Sequence, residues 1–495
     1  MTFITLFRAH FIGRVATLGI ATFFSAVLSI ALLPIATKSL HASDYGTYAL
    51  LTSIIILVSS AMDGGSPLFL PAVYYRGSPR ERARMFVTSA IIAASGGSVI
   101  CITALAVERY FHTPSFEFQI PLDAMLIAAV TVPLRSVAAI TTVIFSITNR
   151  SYAIAIQTLL QAVCVFVFTI IGLFCLALGG TALLFGAASG QLAALAVGLL
   201  ILNKHGELVA RPSLRFARRA LRHALTSSTS GFVGGAHNFA ENSLLAAAKG
   251  LQAAGFISHA RVYYNFTLAL IGTVGHNVRA ASLEEARNLH SHFEATRKAW
   301  VPVHVALTCA GLFFALFGGE VVDLISNGKL TDAAPYIPYF LIIALLQNSD
   351  QASTATVYAF GKAYIAARIQ IALAISGLLA LFPLIHVFGM AGIVIAIIAE
   401  TILYRIQLAK VARRLRSVPF HDGAAYFGCA LVAMTAAGVD LAAPSLQARA
   451  ACMIAGLILV GFVGRRSIAE ISAEIQGLRL GARTEDPDSQ VDRQP

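Results

Sequence analysis

Ala36-Thr37-Lys38-Ser39-Leu40-His41-Ala42-Ser43-Asp44-Tyr45 is answered, 211 residues further on, by Ala247-Ala248-Lys249-Gly250-Leu251-Gln252-Ala253-Ala254-Gly255-Phe256. In each copy a lysine and a few small or polar residues interrupt a long apolar stretch, as a short turn between two spans would. The register returns twice more. Arg150 and Tyr152 recur as Lys362 and Tyr364, 212 apart, and Gly180 and Ala182 recur as Gly389 and Ala391, 209 apart, which brings Gln191 opposite Glu400. Matches of Ala and Leu mean little in an apolar chain, but turn residues that keep their spacing at three places mean a duplication. The unit holds an even number of spans, so both copies point the same way across a membrane. That is a parallel repeat about an axis along the membrane normal, with the site expected between the halves.

Composition supports the membrane reading. Of 495 residues 57% are hydrophobic and 12% charged, and the mean hydropathy is +0.76. A soluble domain carries about 25% charged residues. The apolar residues fall in runs of roughly 18–25, the length that crosses about 30 Å of hydrocarbon as a helix. Strand-like alternation is missing, which argues against a β-barrel. The fold class expected is an all-α polytopic membrane protein of about fourteen spans: two parallel six-helix lobes around a central cavity, plus two C-terminal helices.

The first span is expected at Ile12–Thr37, too long for a signal-peptide core. The second, Gly46–Val73, is over-long and carries Gly64, Gly65 and Pro67, so a kink is expected near its end. The seventh is placed at His223–Ala248, the eighth at Gly255–Asn277 and the tenth at Ala334–Phe360. The resulting organisation is an N-lobe over 1–203, a basic linker over 204–222, a C-lobe over 223–410, two further helices over 411–463, and a polar tail over 464–495 expected to be disordered.

The net charge of +12 does not point to nucleic acid, because the basic residues sit in short loops. With loops alternating from a cytoplasmic N-terminus, 29 of the 36 Lys and Arg lie on the cytoplasmic side and 5 opposite, with Arg135 and Arg261 inside spans. Positive-inside orientation then makes both termini cytoplasmic in a multi-pass plasma-membrane protein. In the linker, Arg211, Arg215, Arg218, Arg219 and Arg222 would share a helical face, suited to anionic membrane lipid. All six cysteines lie in apolar runs without a CxxC pair, so buried packing is expected.

Leu33-Pro34-Ile35-Ala36-Thr37-Lys38-Ser39-Leu40, Asp44-Tyr45-Gly46-Thr47-Tyr48 and Asp63-Gly64-Gly65 together resemble the opening of Wzx-type polysaccharide flippases. Phe317-Gly318-Gly319 with Ala333-Ala334-Pro335 is similar to that family's link between its ninth and tenth helices. The family belongs to the multidrug/oligosaccharidyl-lipid/polysaccharide exporter superfamily, with lipid II flippases and drug antiporters. The resemblance implies two six-helix lobes working by alternating access on a polyprenyl-diphosphate-linked oligosaccharide. The cargo would serve O-antigen, capsule or exopolysaccharide synthesis at a bacterial inner membrane, with polysaccharide polymerase and glycosyltransferases as partners.

Ionisable residues deep in a bilayer are costly and are functional candidates by default. Arg135 lies mid-span in the fourth helix, and Arg261 lies in the eighth, among Tyr263, Tyr264 and Asn265. A guanidinium fork matches phosphate oxygens, so both are candidate diphosphate contacts; the alternative for each is a structural pair with a buried carboxylate. Arg14, one turn inside the first helix, is a weaker member of the set because it can snorkel. The seventh span is polar along its length, with His237, Asn238, Glu241 and Asn242 as candidate cargo or coupling residues; His237 and Glu241 share a face at i, i+4. Glu400, Asp350 and Asp63 complete the acidic set. Glu400 or Asp350 would either pair with a buried arginine or carry a proton. No cofactor or metal is expected; coupling to sodium, protons or membrane potential is.

Enzyme signatures fail: there is no phosphate loop, HExxH or GxSxG after a strand. Two other functions compete. A cation-coupled multidrug antiporter of the same fold would favour twelve helices and an acidic cavity. A membrane-embedded glycosyltransferase or polymerase needs a sizeable outer loop or an acidic pair at the membrane surface, and the outer loops here are of the short kind that connects helices.

Overall fold

The computed structural model describes residues 3–62, 78–111, 121–148, 150–206, 208, 211–218, 229–288, 293–416, 423–442 and 445–462. The described residues are helical almost throughout, with no strand among them. The first half supplies α1 (Phe3–Ser39), α2 (Ala42–Met62), α3 (Pro79–Phe111), α4 (Leu122–Ile147), α5 (Ser151–Phe174) and α6 (Thr181–Lys204). The second supplies α7 (Thr229–Lys249), α8 (Leu251–Arg287), α9 (Glu294–Ser326), a 3-10 turn (Thr331–Tyr336), α10a (Ile337–Asn348), α10b (Gln351–Ala359), α11 (Ala363–Phe388) and α12 (Met390–Leu415). They are followed by α13 (Gly423–Ala442) and a shorter apolar helix α14 (Leu446–Phe462).

The repeat read from turn residues reappears as helix boundaries. Arg150 and Lys362 are the N-caps of α5 and α11, Gly180 and Gly389 those of α6 and α12. Lys38 and Lys249 lie in the last turns of α1 and α7.

Among the described residues, nine helices are long and apolar enough to span a bilayer. Neither α7 nor α8 is one of them. Their polar residues hold the hydropathy down although each exceeds the roughly 20 residues a span requires. The outward surfaces are apolar: Leu379, Val387 and Leu441 are each at least 70% exposed. The inside carries buried Glu241, Asn242 and Arg405. Apolar surface outside and ionisable groups within is the arrangement a hydrocarbon solvent demands.

Several expectations are corrected. The helix that carries the first span starts at Phe3, and the span itself is found at Thr17–Ser39 where Ile12–Thr37 was expected. The tenth span is not continuous: the chain turns at Ser349 and at Asp350, whose φ is +54°, and the Asp350 carboxylate accepts the Ser353 backbone N–H at 3.3 Å to cap α10b. The Asp350 carboxylate therefore serves as a cap. Cys175 and Cys452 are exposed instead of buried, as small apolar groups facing lipid. The kink expected at Gly64–Pro67 and the polar tail lie outside the described residues. In the linker, Phe216 is buried beside Met85 and Phe86 while Leu214, Arg211, Arg215 and Arg218 are exposed; Arg219 and Arg222 are outside the described residues. At the same end of the bundle, Ser78 and Glu81 form a capping box for α3: the Ser78 N–H donates to Glu81 Oε2 at 2.8 Å, and the Glu81 N–H to the Ser78 hydroxyl at 3.4 Å.

The largest apolar core runs through both halves. It joins Leu33, Leu40, Tyr45 and Leu50 to Leu245, Ile257, Tyr263, Ile337 and Ile393. It lies near the turns that follow α1 and α7, whereas the core around Met85, Phe145 and Leu202 stays within the first half. The halves are fused at the end of the bundle that carries few basic residues.

Candidate functional site

The turn at Gly250 (φ +87°) folds α7 against α8 as a hairpin. Glu241 lies nine residues before it and Arg261 eleven after it, so at 1.5 Å rise per residue both sit about 14–17 Å from the turn. That is the middle of a hydrocarbon layer about 30 Å thick. The second hairpin, α11–α12, turns at Gly389 (φ +59°), against the Lys249 side chain. Glu400 lies eleven residues after that glycine and Gly377 twelve before it. Two adjacent hairpins of matched length thus bring four groups to one depth.

They form a chain of contacts. Arg261 donates through Nη2 to Glu241 Oε2 in a close ion pair, and through Nη1 to Asn238 Oδ1 at 2.7 Å. The other carboxylate oxygen of Glu241 is 3.1 Å from His237 Nδ1, and His237 Nε2 is 3.2 Å from Glu400 Oε2. Gly377 on α11 leaves the space this last contact needs: a methyl there would stand 3.2 Å from both the Glu400 and the His237 atoms. Glu241 is 3% exposed, so its charge depends on these partners.

Arg261, Asn238 and Asn242 line a cavity of about 310 Å³ between the halves, opposite Ser25, Ser29, Tyr48 and Ser53 of α1 and α2. Phe340 of α10a lies 5.5 Å from the Arg261 guanidinium, and the Tyr264 hydroxyl donates to Gln347. A larger cavity of about 470 Å³, between α9, α10a and α13, is lined by Gly319, Ala334 and Pro335 of the family-like link but by none of the candidate site residues.

Of those residues, the structure gathers Arg261, Glu241, His237, Asn238, Asn242 and Glu400. The partner of Arg261 is Glu241, not Glu400 or Asp350. Arg135, half-buried on α4, does not line the cavity, but its charge acts on Tyr48, which does. The side chain of Arg14 is not described, and Asp63 lies outside the described residues. Residues the sequence reading passed over are Gln347, Gly377 and His259, and Tyr48 entered it only as part of the family resemblance. The similar distances of Glu241 and Arg261 from Gly250, nine and eleven residues, were the available signal for their pairing.

Between this cluster and the turns, the halves are sealed. Gly46 of α2 meets the Leu251 carbonyl, and Gly255 of α8 meets the Ala42 carbonyl, so closely that neither could carry a side chain. Thr37 donates to the Ile325 carbonyl at 3.0 Å and Lys329 to that of Lys38 at 2.9 Å. Tyr45 and His259 stack edge to face at 6.0 Å.

A polytopic helical bundle with its ionisable residues gathered at mid-depth around a cavity between two halves has the architecture of a transporter. The model of a family described as polysaccharide biosynthesis protein matches residues 35–335, and the chain belongs to that family. Among solved structures it is similar to the lipid II flippase MurJ in an inward closed conformation, at 12% identity and a TM-score of 0.67, covering 91% of this chain and 99% of that one. A MATE family multidrug resistance transporter in an inward-facing conformation gives 14% identity and 0.58, covering 79% and 94%. A MOP superfamily transporter from Pyrococcus furiosus, described as having a binding pocket of reverse polarity, gives 15% and 0.59, covering 81% and 96%. No curated protein matches the chain. The fold is that of a MOP-type transporter.

Proposed function

We propose that this protein flips a polyprenyl-diphosphate-linked oligosaccharide from the cytoplasmic to the outer leaflet of a bacterial inner membrane, by alternating access, for surface polysaccharide synthesis. The observation that carries the reading is Arg261, a guanidinium on the wall of a mid-depth cavity between the halves, within a polysaccharide-biosynthesis family. Its fork suits phosphate oxygens, and the neighbouring Asn and Ser side chains supply donors and acceptors for sugar hydroxyls. The cavity takes the head group while the polyprenyl tail stays in lipid. With the basic face cytoplasmic, the Gly46–Gly255 seam is the closed outer gate, and cargo enters from inside.

A multidrug antiporter of the same fold needs a carboxylate offered to cationic cargo. Here both oxygens of Glu241 are turned to Arg261 and His237. The test is deletion of the gene. Surface polysaccharide should disappear, with its lipid-linked precursor held on the cytoplasmic leaflet. Normal polysaccharide with raised sensitivity to cationic dyes would refute the flippase reading in favour of the antiporter.

A further inference from the structure

His237 is placed between two carboxylates, with Nδ1 3.1 Å from Glu241 and Nε2 3.2 Å from Glu400. A neutral imidazole has one N–H and one lone pair, so one of these two contacts would set lone pair against carboxylate oxygen. Both contacts become favourable only with an extra proton, on the imidazole or on Glu400. Nε2 is buried and, among the described residues, lacks a hydrogen-bond partner, so this second contact is a near approach waiting to be closed. Charge counting agrees. With the imidazole neutral, Arg261, Glu241, Glu400 and His237 sum to one negative charge in a low-dielectric setting; one proton makes the cluster neutral. Among the described residues, the elements packed around α7 supply no further carboxylate or cation at this depth. On α2 the charged residue is Asp44, at its start; on α11 Arg368 and His386 lie away from Gly377; on α8 the near titratable neighbour is Tyr264. Arg135 acts on Tyr48, at the first-half wall.

We infer that the cluster is a proton-binding site that loads with the cargo, one proton being taken up from cytoplasmic water for each diphosphate bound. This rests on the head-group reading of Arg261. When the diphosphate draws the guanidinium into the cavity, Glu241 loses its ion-pair partner while remaining buried, and a stranded buried carboxylate neutralises. The Nδ1 proton of the His237 imidazolium passes to Glu241 Oε1, giving a carboxylic acid and a neutral imidazole. That imidazole then takes a proton from water, restoring the imidazolium beside Glu400. At the outer face the steps reverse: cargo leaves, Arg261 returns to Glu241, and the proton is released. Cargo and proton cross together, so less negative charge is carried through the bilayer than with cargo alone. By linkage, each ligand tightens the other.

The test uses the full-length protein in detergent with a short-chain prenyl-diphospho-N-acetylglucosamine as probe, whose doubly esterified diphosphate does not itself titrate near neutrality. Two quantities are read: affinity between pH 6 and pH 8, and proton uptake on binding, from an indicator dye in weak buffer. Wild-type affinity should rise as pH falls, by up to about tenfold per unit, with one proton taken up per probe bound. Glu241→Gln, already neutral, should bind at pH 8 as tightly as wild type does at pH 6, with no slope. Saturating binding to wild type without proton uptake would overturn the inference, and that measurement needs no variant. So would an unchanged slope in Glu241→Gln. A wild-type protein that fails to bind the probe at any pH would instead remove the head-group reading beneath it.

Discussion

Arg261→Ala probes the mid-depth pairing most directly. The substitution removes the donor to Glu241 Oε2 and to Asn238 Oδ1, leaving a carboxylate that is 3% exposed. Breaking a buried ion pair from one side costs about 3–5 kcal/mol. A second route gives a similar size: Glu241 can escape by taking a proton, which at pH 7 costs an ordinary carboxyl about 3.7 kcal/mol. His237 still faces the other oxygen at 3.1 Å, but the charge has lost its close partner, so protonation is the cheaper escape and the expected loss is about 3.7 kcal/mol at pH 7. Because the escape consumes a proton, the native state of the variant binds more protons than its unfolded state. The penalty should therefore shrink by about 1.4 kcal/mol for each unit the pH is lowered from 7 toward the usual carboxylate range. Adding Glu241→Gln removes the stranded charge and should return about 2 kcal/mol of the loss. The assay is reversible unfolding in mixed detergent–SDS micelles at pH 6 and pH 7, on wild type, both single variants and the double. A loss below about 0.5 kcal/mol, or one that the second substitution leaves unrelieved, would refute the pairing as the source of stability.

Three further outcomes are expected. Gly46→Val places a side chain into the Leu251 carbonyl, so the outer seam should fail to close; a cysteine at Ser258, on the cavity wall, should then label from outside with an impermeant reagent, and unchanged labelling with normal export would count against the gate. Single cysteines at Ser43, Ser115 and Asn327 in a cysteine-free background should label from outside in spheroplasts and one at Arg218 should not; the reverse pattern would invert the orientation. The Ser78 backbone N–H and hydroxyl hold the Glu81 carboxyl below its ordinary value, so its capping contribution is present above the usual carboxylate range and is lost as pH falls through the depressed value. Hydrogen-exchange protection in the first turn of α3, relative to the intrinsic rate at each pH, should fall over that window in wild type and should show no such step in Glu81→Gln.

Much of this molecule was legible one residue at a time. Hydropathy over about 20 residues is a local property, so spans such as Ser151–Phe174 and Met390–Leu415 could be located without knowing their neighbours. The duplication was legible for the same reason: Lys38 and Lys249, Arg150 and Lys362, and Gly180 and Gly389 mark turns, and turns are set by local chemistry. Depth was legible too, because 1.5 Å per residue from Gly250 carries Glu241 and Arg261 to the bilayer centre.

The partners were not. Whether Arg261 would meet Glu241, Glu400 or Asp350 depends on how each helix is rotated about its axis and on which helices are adjacent. Those are set by side-chain packing between segments that lie 20 to 139 residues apart in the sequence. Asp350 caps a helix because a backbone turn with φ +54° puts its carboxylate against the Ser353 N–H, a role invisible in an apolar run. Gly377 contributes by lacking a side chain where His237 approaches Glu400, and an absence has meaning only once its neighbours are in place. The seam at Gly46 and Gly255 likewise exists only because two helix backbones cross there. Burial in lipid is decided along the chain, while the pairing of charges inside the bundle is decided across it, because an ion pair acts over a few ångströms and only the packed helices bring those atoms that close.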